Sequence, residues 1–410
     1  MPKTVAVIGG GAAGLMAAYF AAKNGNAVTV FEKMERPCRK VMITGKGRCN
    51  VTNNCSNDTL ISNVTKNGKF LYSAFSFFSS RDTMEFFEDA GVPLKTERGN
   101  RVFPVSDKSV DIVDALVNSV RKSGVKTVHS AVSEILTGGG AVCGVRLESG
   151  EERQFDAVIL ATGGKSYHLT GSTGDGYVMA EKLGHTVTEL LPSLVPLKIH
   201  EGFCTALSGL TLKNVTLSLY YSDKKKPLYE NLGEMLFTHF GISGPLTLSA
   251  SAHIRKGDIA DYKVVIDLKP ALLPEQLEAR IQRDFLEAGN KIIANSLDKL
   301  LPKSLIPVII KLSGISPDTR VNQITKQQRT ELARVIKNLT LHPIGFRDID
   351  EAIITSGGIK VSEINPTTME SKIIGGLYFA GEIIDADAYT GGFNLQIAFS
   401  TGALAGGSIK

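Results

Sequence analysis

The chain opens on an apolar run, Val5-Ala6-Val7-Ile8, that stops at Gly9-Gly10-Gly11-Ala12-Ala13-Gly14 and gives way to an apolar, alanine-rich stretch over 15–23. An apolar run followed by glycines and a helical segment predicts a strand, a glycine turn and a helix. A second apolar run, 27–31, ends on Glu32. Further strands are expected over 125–132 and 142–147, with Gly138-Gly139-Gly140 as a hairpin turn between them. Another, 155–160, closes on Ala161-Thr162-Gly163-Gly164. From 192 to 270 the pattern turns to short β runs, clearest over 210–221 and 262–268, and from 271 to 345 it becomes helical, punctuated by Pro274, Pro302, Pro307 and Pro317. A last strand over 375–382 closes on Gly381-Glu382, and Gly391-Gly392-Phe393-Asn394 opens a helix over 395–404.

These elements predict an α/β protein. A Rossmann-like dinucleotide-binding domain is built from 1–191 and 346–410, interrupted by a small β-rich domain (192–270) carrying a helical insert (271–345). In the first unit Gly9 permits the tight turn, Gly11 lets backbone approach a pyrophosphate, and Gly14 lets the helix sit against the strand. The helix start, with Ala12 and Ala13, offers free N–H groups and the positive dipole end to phosphates. Glu32 lies 18 residues beyond Gly14, placed to accept ribose hydroxyls and to repel a 2′-phosphate.

Composition narrows the setting. A formal charge of +5 on 410 residues is too small to call for nucleic acid. The segment 271–345 carries 11 Lys and Arg against 7 Asp and Glu, but the acids are interleaved and the plain reading is a solvated helical face. Five scattered cysteines form neither a disulfide framework nor a metal-type pair, which points to a reducing, cytoplasmic setting. No basic leader precedes the first strand, and no stretch approaches the about 18 apolar residues of a membrane span. Oligomeric state is not legible.

The run Ser172-Thr173-Gly174-Asp175-Gly176, the segment Gly376-Leu377-Tyr378-Phe379-Ala380-Gly381-Glu382 and the Gly-rich C-terminal stretch resemble the FAD domain of fumarate reductase and succinate dehydrogenase flavoproteins. Ile43-Thr44-Gly45-Lys46-Gly47-Arg48-Cys49-Asn50-Val51-Thr52-Asn53, Gly163-Gly164-Lys165-Ser166-Tyr167 and the segment 234–245 narrow this. They resemble the BaiN-like, or aminoacetone-oxidase-like, flavoprotein family over nearly the whole chain. Two positions depart from that pattern: Cys38 and His168 stand where the family usually has Gly and Pro. The resemblance implies FAD. Relatives that link FAD covalently use a histidine after the second strand, and this chain has none before His129, so FAD is expected to be non-covalent. No second glycine fingerprint is present for a nicotinamide domain, so NAD(P)H would dock transiently. The expected cofactor residues, besides the fingerprint and Glu32, are Lys33, Arg39, Lys40, Thr44, Gly45, Gly47, Arg48, Cys49, Asn50, Val132, Ala161, Thr162, Gly163, Gly164, Asp175, Gly381, Gly392, Phe393, Asn394 and Leu395. Either Glu382 or Asp385 would meet the ribityl hydroxyls.

A flavin supplies the hydride chemistry, so the protein needs to position substrate, tune the ring and provide a proton. Lys46 or Arg48 could stabilise reduced flavin by charge. His239 is a candidate proton donor, although a lone histidine is more often structural. Tyr167 and Tyr389 are weaker proton sources, and Cys49, without a vicinal partner, reads as inert. The leading expectation is NAD(P)H-linked reduction of an activated C=C bond in a small molecule, enone-like and bile-acid- or steroid-like. The alternatives are a flavin amine oxidase acting on an aminoacetone-like substrate with oxygen, and an FAD-bearing RNA-associated or regulatory protein.

Overall fold

The computed structural model describes all 410 residues, Met1–Lys410, as two compact units, Met1–Ser193 with Ile349–Lys410, and Leu194–Asp348. At the centre of the first unit is a five-stranded parallel sheet in the order Leu377–Phe379, Ala157–Leu160, Thr4–Ile8, Ala27–Glu32, Lys126–His129. Its middle strand is buried on both faces from Val5 to Ile8, which is why it reads as a continuous apolar run.

Two helices follow from that burial. Ala12–Lys23 leaves the first strand directly, and Phe393–Ser408 lies against it at backbone distance. A Cβ on Gly402 would sit 2.3 Å from the Ala13 carbonyl oxygen, and one on Gly406 would sit 2.1 Å from that of Ala17. Small residues at four-residue spacing therefore set how close the two helices come. The hairpin Val132–Gly138 and Ala141–Leu147, extended by Glu152–Gln154, turns through Gly139 and Gly140, both at positive φ. The run read from sequence as one strand over 125–132 is instead two, Lys126–His129 in the parallel sheet and one beginning at Val132 in this hairpin. A third small sheet pairs Thr52–Asn53, Arg101–Pro104 and Leu94–Glu97.

The second unit holds a seven-stranded antiparallel sheet containing the long strands Thr211–Tyr221 and Tyr229–Thr238 beside Tyr262–Asp267. The helices Pro274–Ala288 and Lys326–Lys337 are amphipathic, the first burying Leu277, Ile281 and Phe285 at four-residue spacing. Leu339–Leu341 and Pro343–Phe346 lie within the stretch read as helical, yet each forms an edge strand of this sheet. Such short runs leave no room for an alternation to show, and only pairing with Tyr262–Asp267 and Leu197–Ile199 makes strands of them.

Candidate cofactor and active site

All five parallel strands point their C-terminal ends the same way, and in open α/β sheets that edge carries the ligand crevice. In the first unit it carries an elongated cleft of about 1270 Å³ counted to its open mouth. The cleft is lined by Gly9, Gly11, Ala12 and Ala13 from the fingerprint and by Glu32 and Lys33 at the end of the second strand. Arg39 and Lys40 come from the short helix Arg39–Ile43, Thr44 from its end, Val132 from the hairpin, Ala161, Thr162 and Gly163 from the end of the strand Ala157–Leu160, and Asp175 from the start of the helix Asp175–Lys182. Gly381, Glu382, Asn394 and Leu395 complete it from the C-terminal part.

The glycines have separable duties. Gly9 is at φ +103°, and a Cβ there would come within 2.5 Å of the Ala161 carbonyl oxygen. Gly14 could carry no side chain, because its Cβ would lie 1.9 Å from the Gly9 oxygen. Gly11 is different: a Cβ there would meet nothing within 4 Å. The space over Gly11 at the helix start is open, as a pyrophosphate cradle requires. Thr162 Oγ1, also on the cleft, is buried without a hydrogen-bond partner. An orphaned hydroxyl and an open glycine cradle at a helix N-terminus are what a dinucleotide would fill, and the residues present fit one.

The charged groups are held by local partners. Glu32 accepts from the Gly10 N–H at 2.6 Å and the Met34 N–H at 2.8 Å, which fixes the carboxylate on the cleft wall with lone pairs to spare. Lys33 bridges Thr173 and Asp175, both at 2.7 Å. Lys40 donates to Ser166 Oγ and Glu382 Oε2, both at 2.7 Å, while Glu382 Oε1 accepts the Thr355 N–H at 2.8 Å. Asn394 is tied to the Ala388 backbone through both ends of its amide, presenting the start of the last helix to the cleft.

Several sequence candidates stand off the cleft wall. Asp385 is buried and paired with Lys66 at 2.6 Å, so of the two acids considered for the ribityl chain Glu382 lines the cleft and Asp385 does not. Gly164, Gly392 and Phe393 support the wall from behind. A Cβ on Gly164 would press on Thr355 and Glu382, one on Gly392 would lie 2.3 Å from Thr52 backbone, and Phe393 is buried. In the next loop Gly45, Lys46, Gly47 and Cys49 are at positive φ, while Arg48 between them is right-handed. Arg48 is clamped by Asp107 at 2.6 Å and by Glu97, with its guanidinium 4.2 Å from the Phe103 ring centre. The cation expected to face a flavin is thus spent on two carboxylates, leaving Lys46 as the exposed cation of this loop. Asn50 Oδ1 is buried and unpaired. Cys49 is fully buried, and burial pushes its thiol up to about 12; burial likewise raises Cys38 far above the usual thiol range. His239 belongs to the second unit, exposed at the turn between Tyr229–Thr238 and Gly241–Ser243, its ring edge-on to Phe240.

Sequence reasoning missed Arg36, Ile353 and Ile354 on the cleft, and Thr355, whose hydroxyl accepts from the Lys165 and Ser166 N–H groups at 2.8 and 3.1 Å. The available signal was Ile353-Ile354-Thr355-Ser356-Gly357-Gly358, a further apolar run closing on Gly-Gly.

Comparison with known proteins adds four findings. The model of the HI0933-like protein Rossmann domain matches residues 3–408. A 3-dehydro-bile acid delta(4,6)-reductase from Clostridium scindens is 32% identical over 406 residues, covering 98% of each chain. A ribosomal RNA dihydrouridine synthase from Haemophilus influenzae is 32% identical over 400 residues, 96% of this chain and 95% of the relative. Among solved structures, the 3-ketosteroid-delta4-(5alpha)-dehydrogenase of Rhodococcus jostii RHA1 covers 99% of this chain and 96% of its own at 16% identity and a TM-score of 0.52, a likeness of fold.

Proposed function

From the premise that this chain belongs to the HI0933-like Rossmann-domain family and is an FAD-dependent oxidoreductase, we propose that it saturates a C=C bond conjugated to a carbonyl, with NAD(P)H as donor. The observation that carries this reading is that two relatives, each similar over nearly the full chain, are named for a delta(4,6) reduction and for making dihydrouridine. Both names denote addition of two hydrogens across a C=C bond next to a carbonyl. A hydride to the β-carbon and a proton to the α-carbon complete such a reduction.

In this reading FAD is held non-covalently and, when bound, supplies two-electron hydride chemistry. The residues of this chain do the rest. N–H groups at the starts of Ala12–Lys23 and Phe393–Ser408 meet the phosphates and the far end of the cofactor. Glu32 takes the adenosine ribose, and Lys40 and Glu382, already paired across the cleft, take the ribityl and phosphate side. Lys46 supplies positive charge near the ring, and the proton comes from solvent.

A second reading concerns what bears the double bond. The RNA-acting relative is as similar to this chain as the bile-acid enzyme, so a uracil in RNA stands beside a steroid-like enone as substrate. The test is an anaerobic titration. Holoenzyme is bleached with NADPH or NADH, then mixed with a 3-oxo-4-ene steroid, an unmodified uridine-containing RNA, or air. Recovery of the oxidised spectrum with a conjugated alkene supports the proposal, and the substrate that works decides between the two bearers. Rapid recovery in air with peroxide, and none with either alkene, would move the assignment to an amine oxidase.

A further inference from the structure

A second cavity, of about 1840 Å³ counted to its mouth, opens in the first unit beside the cofactor cleft. The two share Arg36, Arg39 and Thr170, so they are contiguous. One wall is a single face of the helix Ser109–Lys122, presenting Val110, Val113, Asp114 and Val117 at three- and four-residue spacing. The turn bearing Tyr167, His168 and Leu169 also lines it, with Leu169 at 74% exposure.

The polar groups are unevenly satisfied. His168 is paired with Asp350 through both its backbone N–H, at 3.1 Å, and its ring Nδ1, at 2.7 Å. Arg36 and Arg39 are both exposed, and neither guanidinium has a hydrogen-bond or ion-pair partner. Glu35 and Asp114, the other acids of the cavity, reach neither of them. Two free guanidiniums three residues apart present bidentate donors suited to a pair of phosphates. The tyrosine ring and the valine face beside them suit a flat, weakly polar ring.

We propose that this cavity docks the reducing pyridine dinucleotide, with its pyrophosphate on Arg36 and Arg39 and a ring against Tyr167 and the Val110, Val113, Val117 face. The inference rests on the NAD(P)H reading above and gives that donor a place. No glycine fingerprint is required, because guanidiniums replace a helix N-terminus as the phosphate anchor. The donor surrenders a hydride and leaves as oxidised nicotinamide, and the electrons leave on the conjugated alkene with a proton from solvent.

The test uses holoenzyme and two substitutions confined to the second cavity. V117W crowds its valine face, and L169E sets a negative charge on an exposed rim position where folding is not at stake. Three quantities are read: binding of NADP+ and NAD+ by calorimetry, the concentration of NADPH or NADH that half-saturates anaerobic bleaching, and the rate at which dithionite-reduced enzyme is reoxidised by the alkene. Both variants should weaken dinucleotide binding and raise the half-saturating concentration at least tenfold, with FAD content and reoxidation unchanged. Wild-type behaviour of both variants would overturn the site while leaving the donor reading intact. A wild-type enzyme that the alkene reoxidises but neither nucleotide bleaches would overturn the donor reading and this site with it.

Discussion

Replacing Gly11 by valine should separate cofactor binding from folding. Gly11 has extended backbone, φ −80° and ψ −173°, a conformation β-branched residues favour, and its Cβ would meet nothing within 4 Å. The cost to the apoprotein is the weaker helix-capping preference of valine, about 1 kcal/mol or less. The open space is where the phosphates must come close to backbone N–H groups. Each such charge-assisted bond contributes about 1.5–3 kcal/mol, so the loss of one weakens binding roughly 10- to 150-fold. The assay compares the urea midpoint of FAD-stripped protein with the dissociation constant for FAD from quenching of flavin fluorescence. A G11V protein that binds FAD within threefold of wild type would refute the cradle. G14A is the opposite control: its Cβ would lie 1.9 Å from the Gly9 oxygen, and it should destabilise the apoprotein itself.

Three further outcomes are expected. G406L should push the two cleft-facing helices apart, because even a Cβ there would stand 2.1 Å from the Ala17 oxygen; a loss of about 2–4 kcal/mol in denaturant unfolding is expected, and an unchanged midpoint would contradict the packing. Hydrogen bonds from Arg48 hold Glu97 below its usual range, and those from Lys95 and then Arg48 do the same for Asp107. Both carboxylates therefore stabilise the fold above their unfolded pKa values and lose that contribution as pH falls through the lowered ones, so R48A should flatten the fall in unfolding midpoint below about pH 4.5; an acid limb as steep as wild type would count against it. In thiol labelling of native protein at pH 8 Cys143, which is exposed, should react first, while Cys38, Cys49 and Cys204, all buried and raised by burial, should wait for unfolding; early modification of Cys49 would revive it as a redox partner.

What was legible in the sequence was whatever backbone geometry dictates locally. The run from Val5 to Gly14 announces strand, turn and helix because only glycine fits at Gly9 and Gly14, and the Gly-Gly turns of the C-terminal part carry the same signature. Side-chain direction was not legible. Lys46 and Arg48 are two residues apart in one glycine-rich loop, and nothing in their order says that one is exposed while the other closes on Glu97 and Asp107, remote in sequence. Glu382 and Asp385 were equivalent for the same reason until Lys40 took one and Lys66 the other. Thr355 escaped notice because its role lies in accepting two N–H groups from residues 190 and 189 positions away, a relation that only the folded chain creates.

The pairing of Ala12–Lys23 with Phe393–Ser408 also bears on how the protein is made. During vectorial synthesis the first helix emerges with its alanine face uncovered, and the helix that covers it begins 370 positions later. At 5–20 residues per second, that is a wait on the order of 20–75 s. The parallel sheet waits as well, since its edge strand Leu377–Phe379 arrives almost as late. The unit formed by Leu194–Asp348 is contiguous and can fold in the interval, whereas the cofactor-binding unit remains a half-built sheet with an open edge. Chaperone dependence and aggregation of ribosome-bound fragments should therefore be concentrated in chains stalled before residue 393.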